Sequence, residues 1–81
     1  MRKQKESKID NLKTLEFSIF CIENIAIRLE VEPQCVYKAL ARKSNLLFSY
    51  IVANYEALHT QDKEYIIADI LRVLQEEGVQ I

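Results

Sequence analysis

Residues 22–41 read IENIAIRLEVEPQCVYKALA, and this stretch decides the fold. Ile22, Ile25, Ala26 and Leu29 recur at three- and four-residue steps, the period of a helix. Glu30, Val31 and Glu32 interrupt it. Pro33 then suits a first helical position, where its missing N–H would lack a partner anyway. Val36, Ala39 and Leu40 form the apolar face of a second helix. The spacing is that of a helix-turn-helix unit, whose two short helices cross at about 90–120°. Ala26 is small where the second helix must pack closely, Leu29 closes the first helix, and Val31 plugs the turn. Val36 and Ala39 anchor the second helix. Glu30 holds the turn position that glycine usually takes.

Upstream, the first helix is expected to begin near Asp10 or Thr14 and to run to Leu29. Its core stripe is Leu15, Ile19, Ile22, Ile25, Ala26 and Leu29, and Phe17, Phe20, Cys21 and Ile27 widen it beyond one face. A helix apolar on most sides is central to a fold or shared with a partner. The width of this one therefore allows a homodimer. Residues 1–9, polar and basic, read as a flexible N-terminal arm.

Downstream, Ser44 and Asn45 break the second helix. A third helix is expected from Leu46 to Ala57, with Leu47, Tyr50, Ile51, Asn54, Tyr55 and Leu58 at helical spacing. Leu58-His59-Thr60 connects it to a fourth, from about Gln61 to Glu77. Thr60 is the expected N-cap and Gly78 the C-terminal stop. Ile66, Ile67, Ile70, Leu71 and Leu74 make the core stripe of that helix, while Asp62, Asp69, Arg72 and Glu76 face water. The expected fold is all-α: a single small domain of four helices over residues 10–81, with a helix-turn-helix-like corner formed by helices 1 and 2.

Composition agrees with one small globular unit. The chain has 81 residues, 49% apolar and 28% charged, with one Gly and one Pro. So few turn residues exclude a β-sandwich, which needs one every ~8–12 positions. They exclude glycine-rich phosphate loops as well. A domain of this size buries only about 60–65% of its unfolded surface, which leaves little room for a deep catalytic cavity. The net charge is −1, so the chain is not a uniformly basic nucleic-acid binder. The charge is nonetheless uneven: +3 over residues 1–13, −3 over 14–32, +3 over 33–44 and −4 over 45–81. No apolar run reaches the ~18–20 residues of a membrane span, and no cleavable leader is evident. Cys21 and Cys35 are the only cysteines. They read as free thiols in a reducing cytoplasm.

Few residues suggest chemistry. His59 is the only histidine, and two cysteines fourteen apart do not give a zinc spacing with it. No nucleophile can be placed with a base and an orienting acid. Neither a metal nor another cofactor is expected, and the chain is read as a non-enzyme. His59 is expected to cap or hydrogen-bond at the junction of helices 3 and 4. Glu23 lies on an apolar helix and is expected at the edge of the stripe, facing solvent; a hydrogen bond to a tyrosine that fixes helix register is the other reading. Tyr37, Tyr50, Tyr55 and Tyr65 read as amphipathic packing residues. The second helix presents Gln34, Tyr37, Lys38, Arg42 and Lys43 outward, the face that would meet DNA in a helix-turn-helix regulator. Glu30 and Glu32 stand beside those bases and would repel a phosphate backbone.

Phe20-Cys21-Ile22-Glu23-Asn24, Val36-Tyr37, the run Asn54-Tyr55-Glu56-Ala57-Leu58-His59-Thr60, Glu64-Tyr65-Ile66 and Asp69-Ile70 together resemble a family of small bacterial proteins. That family is catalogued as a domain of unknown function, number 3791. The resemblance spans about Phe17 to Gly78, and Tyr55 to Tyr65 is its most distinctive part. It implies a small α-helical bacterial protein and, through toxin-like neighbours of similar proteins, an antitoxin-like role. Glu23, Tyr55, His59, Thr60 and Tyr65 are then the candidate interaction residues. The expected function is a non-enzymatic protein-interaction module with a protein partner and no membrane. A DNA-binding regulator acting through helix 2 is the alternative.

Overall fold

The structure, a computed structural model, describes residues 12–81. The basic arm over residues 1–9 and a helix start at Asp10 lie outside the described residues. Within them the fold is all-α. Helix α1 spans Leu12–Leu29 and α2 spans Pro33–Ala41; a π-helix spans Leu47–Val52, α3 spans Tyr55–Leu58 and α4 spans Lys63–Glu76. The core gathers side chains from every element but the shortest, and Ile25, Leu40, Ile51, Ile67, Ile70, Val36 and Cys21 are wholly buried.

Helices α1 and α2 pack against each other across a short turn. Ala26 and Ile25 are buried against Val36, Ala39 and Leu40, and Val31 packs on their edge. The turn is a Schellman motif: Glu30 N donates to the Ile27 carbonyl at 3.2 Å and Val31 N to the Ala26 carbonyl at 3.0 Å. That motif needs a left-handed residue after the helix, and Glu30 supplies it at φ 57°. Helix α4 ends in the same way. Gly78 N donates to Gln75 (3.0 Å), Val79 N to Leu74 (2.9 Å), and Gly78 takes φ 73°. The expected stop at Gly78 is therefore present.

The buried face of α1 differs from the expected stripe. Thr14, Ser18, Cys21, Ile25 and Ala26 face the core, whereas Leu15 and Ile19 are 38% and 45% exposed. Ser18 can be buried because the helix itself satisfies its hydroxyl: Ser18 Oγ donates to the Thr14 carbonyl at 2.8 Å. Cys21 lies deep in this face, and burial pushes its thiol up to about 12.

The four-helix expectation needs correction between residues 46 and 57, where two helical pieces replace one. Ser44 Oγ donates to the Ala39 carbonyl at 2.8 Å and accepts from Leu46 N at 3.3 Å. One hydroxyl thus ends α2 and starts the next turn. The chain then winds as a π-helix, a form found mostly as short insertions, which turns Leu47 and Ile51 into the core. Asn54 ends it: both its backbone N (3.0 Å) and its Nδ2 (2.8 Å) donate to the Tyr50 carbonyl. That side chain competes with the helical ladder, so α3 starts afresh at Tyr55.

Two further expectations fail nearby. Thr60 is not the N-cap of α4, because its Oγ1 donates back to the Ala57 carbonyl at 2.9 Å. Asp62 is the cap, accepting from Tyr65 N at 2.8 Å. A carboxylate at that end also suits the helix dipole. Asp69 does not face water. Its side chain is only 10% exposed, accepts a hydrogen bond from the Tyr50 hydroxyl and pairs with Arg72.

Candidate functional site

Tyr55 and His59 sit one turn apart across α3, and their rings stack at 4.3 Å with an 8° tilt. His59 Nδ1 lies 2.7 Å from the Tyr55 carbonyl. A carbonyl only accepts, so Nδ1 is the donor of this bond. The expected hydrogen-bonding role of His59 is thus present, and the bond holds the imidazole parallel to the phenol ring. Phe17 from α1 meets Tyr55 edge-on at 5.4 Å and stacks with Phe20 at 6.2 Å. The four rings line an open cleft of about 340 Å³ between α1, α3 and the start of α4. Lys13, Glu16, Gln61 and Lys63 supply its polar lining, and Ile66 lies beneath.

The five candidate interaction residues divide among three places. Tyr55 and His59 form the cleft. Thr60 is beside them in sequence, exposed, and occupied in closing α3. Glu23 stands on a different surface, a groove at the α1–α2 turn lined by Glu23, Ala26, Ile27, Glu30, Val31 and Pro33. It is exposed, as expected at the edge of the stripe, and makes no hydrogen bond or ion pair among the described residues. Arg28, a partner it could have taken, pairs with Glu64. Tyr65 is 52% exposed and borders Ala68, Asp69 and Arg72. The alternative reading of Glu23, a hydrogen bond to a tyrosine, is not found; the tyrosine–carboxylate bond seen among the described residues joins Tyr50 to Asp69.

Phe17 and Phe20 were read from sequence as a widening of the α1 stripe. Their contribution to a cleft went unrecognised, as did that of Lys63 and Gln61. Lys13, Glu16, Phe17 and Phe20 stand at positions i, i+3, i+4 and i+7 of one helix face, which is the available signal.

The candidate DNA-facing residues are also where expected. Gln34, Tyr37, Lys38, Arg42 and Lys43 are exposed on α2 or just after it. Lys43 Nζ donates to the Gln80 carbonyl at 3.0 Å. Glu30 and Glu32 are exposed at the opposite end of that helix.

Among the described residues no helix is long and apolar enough to cross a membrane, and no group of three metal-ligating side chains gathers. The model of a family described as "Protein of unknown function (DUF3791)" matches residues 16–77. No curated protein and no solved structure matches the chain.

Proposed function

The chain belongs to the DUF3791 family of proteins of unknown function, and from that premise we propose that it is a non-enzymatic protein-interaction module of antitoxin-like type. One observation carries this reading: the aromatic cleft of Phe17, Phe20, Tyr55 and His59. It is open and mostly apolar, and three of its four rings stand on helices. Aromatic side chains offer large contact area at little cost in rotamer entropy, which is why they anchor interfaces. Leu12 (64% exposed), Leu15 and Ile19 are further exposed apolar residues in the N-terminal half of α1. The partner would insert an apolar side chain into the cleft and cover that half of α1. Two free thiols, Cys21 and Cys35, fit a cytoplasmic setting.

Co-expression with any growth-arresting protein encoded by an adjacent gene tests the reading. Wild-type chain should relieve growth arrest and co-purify in a fixed ratio. The double substitution Phe20→Ser, His59→Ala should abolish both while leaving helical circular dichroism intact. A folded double variant that still protects the cell would remove the cleft from the interface.

The DNA-binding reading keeps one specific observation, the exposed bases on α2 opposite a packed α1. Binding to a random duplex that falls steeply with salt and disappears on replacing Lys38, Arg42 and Lys43 by Ala would favour it.

A further inference from the structure

The groove at the α1–α2 turn has an apolar floor and an acidic rim. Ala26, Ile27, Val31 and Pro33 form the floor, Glu23 and Glu30 the rim, and the space is about 430 Å³. Ile27 is 74% exposed, the most of any large hydrophobic residue described. Neither glutamate has an ion-pair partner among the described residues. Such a site suits a long cationic side chain, whose methylene stem covers apolar surface while its charged head meets carboxylates.

The matching cations lie on the same chain but out of reach. Lys38 and Arg42 are exposed and make no ion pair among the described residues. Arg42 follows Pro33 by nine helical steps, about 13 Å at 1.5 Å per residue, and so lies at the far end of α2 from the groove. One helix thus carries acids at its start and bases at its end. Between them Gln34, Tyr37, Lys38 and Ala41 form a stripe at helical spacing, with Tyr37 46% exposed at its centre.

A patch of this kind is complementary to itself under a two-fold rotation. We propose that a second copy of this chain occupies the groove, with the two α2 helices antiparallel about an axis near Tyr37. Residue 42 of one copy then comes level with residue 32 of the other. Arg42 of each copy enters the partner's groove, between Glu23 and Glu30. The antiparallel helix dipoles add to the attraction. A nine-residue helix face offers less area than the ~1,200–2,000 Å² of a standard stable interface. The dimer is therefore reversible and depends on charge. Its formation covers the basic face of α2 and leaves the aromatic cleft free, so it is independent of the partner-binding reading above.

Sedimentation equilibrium over a wide concentration range, at about 0.05 M and about 0.5 M salt, tests the proposal. A monomer–dimer equilibrium is expected, weakened about tenfold or more at the higher salt. Glu23→Arg and Arg42→Glu should each weaken it by at least about tenfold, and the double charge swap should restore it. Both sites are exposed, and circular dichroism is the check that each variant folds. A wild-type chain that stays monomeric throughout would overturn the proposal. So would a dimer indifferent to both single reversals, or a monomer whose Arg42 and Lys43 bind a duplex.

Discussion

Glu30 and Gly78 occupy the same position in two copies of one motif. Each follows a helix, each lies in the left-handed region, and each donates to the carbonyl three residues back. Gly78 meets nothing within 4 Å where a Cβ would stand, and its conformation costs little. Glu30 carries a side chain in that conformation, at a cost of about 1–2 kcal/mol. Replacing it by glycine removes that cost but adds about 0.4–1 kcal/mol of freedom to the unfolded chain. The expected net effect of Glu30→Gly is a stabilisation of about 0.5–1 kcal/mol, seen as a higher urea midpoint at unchanged slope. An unchanged or lower midpoint would show that the turn tolerates glutamate without strain. The glycine-like character of this position was legible in the sequence from its place in the turn; the left-handed angle itself was not.

The π-helix shows where element reading stopped. Leu47, Ile51, Tyr55 and Leu58 fit a single α-helical period, so one helix from Leu46 to Ala57 was the natural expectation. Two local competitors decided otherwise, the Ser44 hydroxyl at the start and the Asn54 amide at the end. The hydroxyl takes up backbone groups where α2 ends, the amide adds a second donor to the Tyr50 carbonyl, and apolar periodicity carries no record of either. The π-helix is tied to α4 by the bond from Tyr50 to Asp69. That bond, more than burial, raises the Tyr50 hydroxyl from 10.0 to about 12. A pKa raised on folding gives stability that is complete below the unfolded value and lost as pH climbs through the folded one. Tyr50→Phe should therefore cost about 1 kcal/mol at neutral pH. The gap to wild type should close between pH 10 and about 12. Urea titrations of both proteins across that range would show it, and a gap that persists at the alkaline end would argue against the bond.

At the scale of the molecule, the all-α class was legible because it rests on apolar spacing within single helices. Tyr55 and His59, four residues apart across α3, stack on each other, a contact that reading one as a packing residue and the other as part of a connector does not bring out. The cleft as a whole was not legible, because Phe17 and Phe20 join it only once α1 has chosen which face to bury. That choice went to Thr14 and Ser18, two residues that look polar on paper. Glu23 and Tyr65 belong to the same family-like pattern as His59, yet they settle on separate surfaces. Neighbourhood in a motif did not translate into neighbourhood in space. Cys21 is fully buried at the centre of this packing, while Cys35 is partly accessible. A thiol reagent added to the native protein should alkylate Cys35 promptly and reach Cys21 only when the core opens. The slow phase of that reaction, followed by mass spectrometry, is then a clock set inside the protein, ticking once for each excursion to the unfolded state.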